Sequence, residues 1–116
     1  MPKIKIRVSI IQEEKETKEE VNAIYQDNIF KYQEDKKTKV ILDLNQNILL
    51  RENKELKMKY IFQEKEETDG IIESKELGKK IMVKIKTKKI ERKENDIKIT
   101  FQVEDQSFLY HIEVLK

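Results

Sequence analysis

The sequence predicts an all-β protein, built as a single antiparallel meander of about 8–10 strands that closes into a barrel. Two observations indicate this fold class. Apolar and polar residues alternate with a period of two along much of the chain, as in strands that bury one face. Short polar turn segments interrupt the alternation at the spacing of consecutive hairpins. Because closure removes exposed edges, these hairpins favour a barrel over a sandwich, and we expect residues 1–116 to form one domain.

Five segments show the alternation most clearly, and each places a set of apolar side chains on one face that we predict to be inward. In chain order the inward sets are Ile4, Ile6, Val8 and Ile10; Leu56, Met58, Tyr60 and Phe62; Ile81, Val83, Ile85 and Thr87; Ile97, Ile99, Phe101 and Val103; and Phe108, Tyr110, Ile112 and Val114. Shorter strands are predicted at Val21 to Tyr25, Ile29 to Gln33, Lys39 to Leu44, Ile48 to Arg51 and Ile71 to Lys75.

Polar residues with turn propensity separate these strands. The predicted turns are Asp27-Asn28, Glu34-Asp35, Asn45 to Asn47, Asn53-Lys54, Asp69-Gly70, Gly78, Asn95-Asp96 and Asp105-Gln106. Asp69-Gly70 is the best candidate for a tight hairpin turn, because glycine accepts a positive φ at little cost. Asn53 could adopt the left-handed conformation in a similar way.

Two segments depart from the simple alternation. Gln12 to Glu20, QEEKETKEE, contains good helix formers but almost no apolar face, so we predict a mobile hairpin loop with room for a helical turn. In KKIMVKIKTKKI, from Lys79 to Ile90, the last isoleucine falls in phase with the lysines. We therefore predict a bulge or bend near Lys88-Lys89.

The composition excludes several classes of protein. There is no Cys and only one His, which removes disulfide scaffolds and every Cys/His zinc or haem pattern, and we expect neither a metal nor another cofactor. The first residues, MPKIKIRVSII, alternate charged with apolar side chains and do not resemble a signal peptide. No apolar run reaches the roughly 18 residues that a membrane helix requires. We expect a cytoplasmic protein without a membrane partner.

Several short motifs occur in an order that is known from one family. The first is a pair of strands, in which Ala23-Ile24-Tyr25 precedes NIFKYQE from Asn28 to Glu34. The second is the turn LREN, from Leu50 to Asn53, followed by a strand with Met58, Tyr60 and Phe62. Gly78, Thr87 and a closing pair of strands complete the order. In this order the sequence resembles the YwiB-like family of uncharacterised bacterial proteins. The resemblance implies a calycin-like, that is lipocalin-like, β-barrel and supplies no catalytic residues. Asn53 stands where that family's pattern has a glycine.

No catalytic site is predicted, and we expect a protein that is not an enzyme. The only imidazole is His111, and Ser107 lies four residues away along the same predicted strand, a distance of about 13 Å. Ser9 or Ser74 could approach His111 across the sheet, but neither lies in a nucleophile elbow. We interpret His111 as an outward or half-buried strand residue, and the carboxylates as solvated surface.

The inward aromatic residues support two interpretations. Tyr60, Phe62, Phe101 and Tyr110 could fill the core, or they could line a pocket for a small apolar or amphipathic ligand. Core filling is the more common outcome for such residues. The two phenols favour a pocket, since a buried hydroxyl needs a partner that a ligand could supply. Ligand binding in the barrel is our first functional hypothesis.

Two alternatives use the outer surface. The outward apolar residues could form an interface with another protein or, in a homodimer, with a second copy of the chain, and a strand edge could serve in the same way. These residues are Ile11, Ile41, Ile61, Met82 and Leu109. Lys84, Lys86 and Lys88 could form a basic face for RNA or another polyanion. We favour this last idea least, because acidic residues lie beside the lysines, arginine is scarce, and the aromatic residues point inward.

Overall fold

The computed structural model describes residues 3–34 and 37–115, which form ten strands. The strands are β1 (Lys3–Gln12), β2 (Lys15–Gln26), β3 (Ile29–Glu34), β4 (Thr38–Asp43), β5 (Ile48–Glu52), β6 (Leu56–Ile61), β7 (Glu67–Ser74), β8 (Lys79–Lys93), β9 (Asp96–Val103) and β10 (Gln106–Leu115). Each strand pairs antiparallel with the next, and β1 also pairs with β10, so the sheet closes into a barrel. The predicted meander barrel is confirmed.

The core fills the inside of the barrel with alternate residues of most strands. Its largest fully buried side chains are Phe30, Ile6, Leu42, Ile85, Ile99, Ile112 and Val40. The inward phase predicted for β1, β9 and β10 agrees with this arrangement, since Ile6, Ile99 and Ile112 are fully buried.

The two ends of the barrel differ. The β1–β2, β5–β6, β7–β8 and β9–β10 turns share one end, which we call the β7–β8 end, and the chain termini lie at the other. The β1–β2 and β7–β8 hairpins reach beyond the closed part of the barrel at the β7–β8 end. Residues 15–22 of β2 pair with β1 but not with β3. The segment Lys79–Lys84 of β8 pairs with β7, while the pairing of β8 with β9 starts only at Ile85.

This overhang corrects part of the predicted inward phase. Ile81 and Leu56 lie on inward positions, yet they are 60% and 45% exposed. Ile81 lies on the part of β8 that has no partner in β9, and Leu56 lies at the same end of the neighbouring β6–β7 pair. No strand covers the inner face of the sheet there. By contrast Ile85 and Thr87, within the closed part, are buried as predicted.

The loop predicted at Gln12 to Glu20 is wrong. The β1–β2 ladder continues without interruption to the pair Gln12 and Lys15, and a tight turn at Glu13-Glu14 joins the strands. Glu13 takes a φ of 56°, a left-handed conformation that the sequence did not indicate. The charged stretch forms a strand because Lys15 to Asn22 pair with β1 alone, so neither face of this stretch needs apolar residues.

Several turn predictions are confirmed, one is wrong, and one turn forms in another conformation than the one considered for it. Asp27, Asn28, Asn47 and Gly78 have positive φ values of 55°, 65°, 55° and 64°. The expected Asp69-Gly70 turn is instead the middle of β7, paired with Lys84 and Val83. Asn53 does not take a positive φ.

Asn53 makes its turn through its side chain. Its Oδ1 accepts hydrogen bonds from the backbone N–H groups of Glu55 and Leu56, both at 2.8 Å. An Asx turn therefore replaces the expected left-handed residue. Asp35, in the predicted turn after β3, lies outside the described residues.

The bulge predicted near Lys88-Lys89 is confirmed. Thr87 pairs with Phe101 and Lys89 pairs with Thr100, which leaves Lys88 as the additional residue in β8. The extra residue restores Ile90 to the inner face, where it pairs with Ile99 and packs against the core.

Candidate functional site

The barrel interior contains a cavity of about 110 Å³ near the β7–β8 end. Its apolar wall includes Ile10, Met58, Tyr60, Phe101 and Phe108, and its polar groups come from Glu34, Arg51 and Tyr110. An apolar cavity on the order of 150 Å³ can hold benzene, whereas sites for drug-sized ligands start at about 300 Å³. The cavity therefore suits a compact molecule and is too small for a long lipid chain.

The strands position the aromatic wall through their register. Phe101 on β9 lies opposite Phe108 on β10, and their rings stack at 5.4 Å between centroids. The Tyr60 ring meets the Phe101 ring edge to face at 6.3 Å. Phe62 also packs against Phe101, with 4.8 Å between ring centroids, and is 2% exposed.

Three of the four aromatic residues that we expected around a pocket thus line this cavity: Tyr60, Phe101 and Tyr110. Phe62 does not line it and belongs to the filled core. The aromatic stripe is therefore divided between the wall of a cavity and the filled core. The core is packed toward the middle, and the space remains at one end.

An ion pair that the sequence analysis missed forms the polar side of the cavity. Arg51 is on β5 and donates a hydrogen bond through Nη2 to Oε2 of Glu34, the last residue of β3. Glu34 is buried, and Arg51 is partly exposed at the barrel end. The buried Nε–H of Arg51 has no hydrogen-bond partner among the described residues.

The sequence did hold a signal for this pair. Arg51 is two residues after Leu49, and Glu34 is two residues after Tyr32, so each charged residue shares the phase of a buried one. A charge in an inward position costs free energy unless it is paired, which makes it a candidate for function.

Two tyrosine hydroxyls meet at the inner end of the cavity. Tyr32 and Tyr110 are both buried, and their hydroxyl groups hydrogen-bond to each other. Burial raises the pKa of both phenols well above the ordinary value, and the nearby Glu34 carboxylate adds to this rise. Because only one of the two protons lies between the oxygens, the other hydroxyl proton remains available to another acceptor. Burial also raises the pKa of Tyr60.

His111 lies away from the cavity, on the outer face. Its Nε2 contacts Asp96 and its Nδ1 lies 3.5 Å from Glu113, so carboxylates face both ring nitrogens. Ser9 is the register partner of His111, yet its buried hydroxyl has no hydrogen-bond partner among the described residues. Ser74 pairs with β6 and β8 on another part of the barrel. The structure does not form a nucleophile and base from these residues.

The outer lysines are interspersed with acidic groups. Lys84 forms a 2.8 Å ion pair with Asp69, which raises its pKa, and Lys86 lies opposite Glu67. Lys88 is exposed at the bulge. The outer side of β2 and β3 also carries a groove of about 760 Å³, which is lined by side chains of both charges that include Lys3, Lys5, Glu19 and Glu20.

The outward apolar residues fall into two groups. Ile11 and Leu109 are neighbours on β1 and β10. The others lie across β4 to β8, where register pairs join Ile41 with Leu50, Ile48 with Ile61, and Ile71 with Met82. Lys59 lies between Leu50 and Ile71 in this second group. We call the six apolar residues of the second group the outer band.

Within the described part of the chain, no group of His, Asp and Glu residues could hold a metal ion. The same residues contain no helix that is long and apolar enough to cross a membrane.

Comparison with known proteins gives a fold but not a family. No family model matches the sequence, and no curated protein matches it. The crystal structure of ywiB protein from Bacillus subtilis is similar, with a TM-score of 0.62 and 17% sequence identity over 98% of this chain and 91% of that chain. At this identity the likeness establishes the barrel fold alone, in agreement with the β-barrel that the sequence predicts.

Proposed function

We propose that the protein is a cytoplasmic, non-enzymatic binding barrel that holds a small amphipathic molecule in the cavity near the β7–β8 end. The observation that carries this proposal is the Arg51–Glu34 pair in the cavity wall, in which the buried Nε–H of Arg51 has no partner among the described residues. A buried donor without an acceptor costs about 1–3 kcal/mol. An acceptor on the ligand would remove this cost, while the apolar part of the ligand would contact Met58 and Phe101.

An apolar path from solvent supports the proposal. Met58 in the cavity wall pairs with Ile72, and Ile72 pairs with the exposed Ile81, so the three side chains form a row across β6, β7 and β8. Leu56, also exposed, precedes Met58 on the same face of β6. A row of apolar residues from the cavity wall to solvent is suited to guide an amphipathic molecule inward.

Native mass spectrometry of the protein purified from its own host tests this function. We expect a bound species that disappears after unfolding and refolding. A Met58→Trp variant, which fills the cavity, should lack it, and Met82→Trp on the outer face should retain it. An unliganded wild-type protein, or equal retention in both variants, would contradict the proposal.

The outer band favours self-association as a second candidate function. Its apolar residues lie together on one face of β4 to β8, and Met82 is 57% exposed. A second copy of the chain, related by a two-fold axis, would cover this face with the same apolar surface. In sedimentation velocity the wild type should show a concentration-dependent dimer, which Ile71→Asp abolishes and Ile11→Asp, on β1, leaves intact. A monomer at all concentrations would rule this out.

We also infer that the chain is a bacterial member of the YwiB-like, calycin-like group. Two observations support this placement, the ordered motifs along the sequence and the fold shared with ywiB protein. Recovery of the LREN and Met/aromatic motifs in intermediate bacterial sequences would test it, and their absence would count against it.

A further inference from the structure

We infer that the cavity takes an uncharged molecule with an adjacent hydrogen-bond acceptor and donor on a compact apolar body, as in a carboxamide or a lactam. This inference rests on the proposed function, because it specifies the ligand of the same cavity. It follows from the arrangement of the Arg51–Glu34 pair and from the charge balance of the cavity wall.

The geometry of the guanidinium sets the pattern of donors and acceptors. The Nε–H and the Nη2 group lie along one edge of the planar guanidinium. Nη2 donates to the Glu34 carboxylate, while the adjacent buried Nε–H has no partner among the described residues. A carbonyl oxygen placed on Nε–H would hold a neighbouring N–H close to the carboxylate. An amide presents both groups side by side.

The charges in the wall disfavour an anion. Arg51 and Glu34 line the cavity together, and their formal charges cancel. A carboxylate ligand would gain the attraction of Arg51, but it would also approach Glu34 and lose its own hydration. A neutral amide makes the same bond to Nε–H without these two costs.

The other polar groups of the wall are compatible with a neutral ligand. Burial keeps Tyr110 and Tyr32 protonated, because it raises the pKa of both phenols, so each side chain is uncharged at physiological pH. Of the two hydroxyls, that of Tyr110 belongs to a residue of the cavity wall, so when Tyr32 donates to Tyr110 the Tyr110 proton can go to a second lone pair of the ligand carbonyl. The volume of about 110 Å³ is smaller than the cavity on the order of 150 Å³ that holds benzene, so it limits the apolar body to a small branched alkyl group.

Three probes of one size test this inference: isobutyramide, isobutyrate and 2,3-dimethylbutane, each titrated into protein with ¹³C-labelled methionine methyl groups. Met58 lines the cavity, and Met82 is exposed on the outer face as an internal reference. We expect isobutyramide to shift the Met58 signal with an affinity about tenfold higher than that of isobutyrate, a difference of about 1.4 kcal/mol. The hydrocarbon 2,3-dimethylbutane should bind more weakly than isobutyramide, since it leaves Nε–H unpaired.

The Glu34→Gln variant then tests the role of the carboxylate. Removal of this charge leaves Arg51 uncompensated, so isobutyrate should gain about tenfold in affinity and isobutyramide should lose its advantage. Glu52→Gln is the matched control, because Glu52 is also at this end of β5 but pairs with Lys75 on the outside. This control should keep the wild-type order.

The outcomes separate the two proposals. Isobutyrate binding as tightly as isobutyramide, or an unchanged ratio of the two affinities in a folded Glu34→Gln variant, would overturn the inference about the ligand and leave the binding function intact. If no probe shifts Met58, both proposals fail. Should Glu34→Gln not fold, the order of the three probes on the wild type decides the question.

Discussion

At the scale of single residues, Gly70 shows how closely the barrel wall fits around the cavity. A Cβ at this position would lie 2.7 Å from Cδ1 of Ile85, 2.9 Å from Cδ1 of Tyr60 and 3.0 Å from Cγ2 of Val83. The distances to Ile85 and Tyr60 are shorter than carbon atoms tolerate, so at least one of these side chains would have to shift. Gly70 therefore does not serve as a turn, but lets β7 pass directly over the ring of Tyr60.

We predict that Gly70→Ala destabilises the protein by about 1–3 kcal/mol through overpacking. Ile85→Val removes the nearest methyl group, so the double variant should lose less free energy of unfolding than the two single variants together. Urea unfolding of the four proteins measures this coupling. Strictly additive effects would mean that the added methyl group is accommodated by another shift.

The same residues explain what the sequence could and could not predict about the site. Tyr60, Phe101 and Tyr110 follow from strand phase, because alternation fixes which face is inward. Asp69-Gly70 misled, because a dipeptide with turn propensity also fits a strand whose glycine faces a neighbouring ring. Arg51 and Glu34 share the inward phase, but only the three-dimensional pairing of β3, β4 and β5 brings them together.

At the scale of strands, the bulge in β8 sets the phase of the second half of that strand. Lys88 has no partner in the ladder with β9, so it shifts Ile90 onto the inner face. The sequence predicted this feature because the alternation itself changes phase at Lys88-Lys89. The first half of β2, KETKEE, gave no signal for a strand, because it contains no apolar residues that could alternate with polar ones. It pairs with β1 alone, and a strand that is paired on one side needs no apolar face.

Two single-residue deletions in β8 should therefore have opposite outcomes. Deletion of Lys88 joins Thr87 to Lys89, whose partners Phe101 and Thr100 are already adjacent, so we predict a folded barrel of reduced stability. Deletion of Lys86 can keep Ile85 and Ile90 inward only if the bulge is lost, and Lys88 then takes the buried position of Thr87 opposite Phe101. We expect no cooperative unfolding transition for that variant.

Circular dichroism and urea unfolding distinguish the two deletions. Loss of the cooperative transition on deletion of Lys88 would mean that the bend itself, and not only the phase, is required for closure.

At the scale of the whole molecule, the barrel interior combines a packed middle with a polar, partly open end. Phe62 and Ile99 belong to the packed core, whereas Phe101, Tyr110 and the Arg51–Glu34 ion pair line the space that remains. The charged and hydroxyl groups are held by strands that are distant in sequence, since Tyr32 is on β3 and Tyr110 is on β10. Opening the barrel therefore exposes these groups together.

This shared exposure predicts a specific loss of stability at alkaline pH. The ordinary pKa of tyrosine is 10.0, and burial raises the pKa of both Tyr32 and Tyr110 above it in the folded state. The contribution of the protonated phenols to stability is complete below pH 10.0, and it is lost as the pH rises from that value toward the folded pKa values.

Lysines titrate in the same range, so the comparison needs a variant that lacks only the two phenols. Against a Tyr32→Phe and Tyr110→Phe double variant, the free energy of unfolding of the wild type should fall more steeply, by up to about 1.4 kcal/mol per pH unit for each tyrosine. Urea unfolding of both proteins from neutral to alkaline pH measures this difference, and parallel curves would show that the tyrosine pair ionises as readily in the folded barrel as in the unfolded chain.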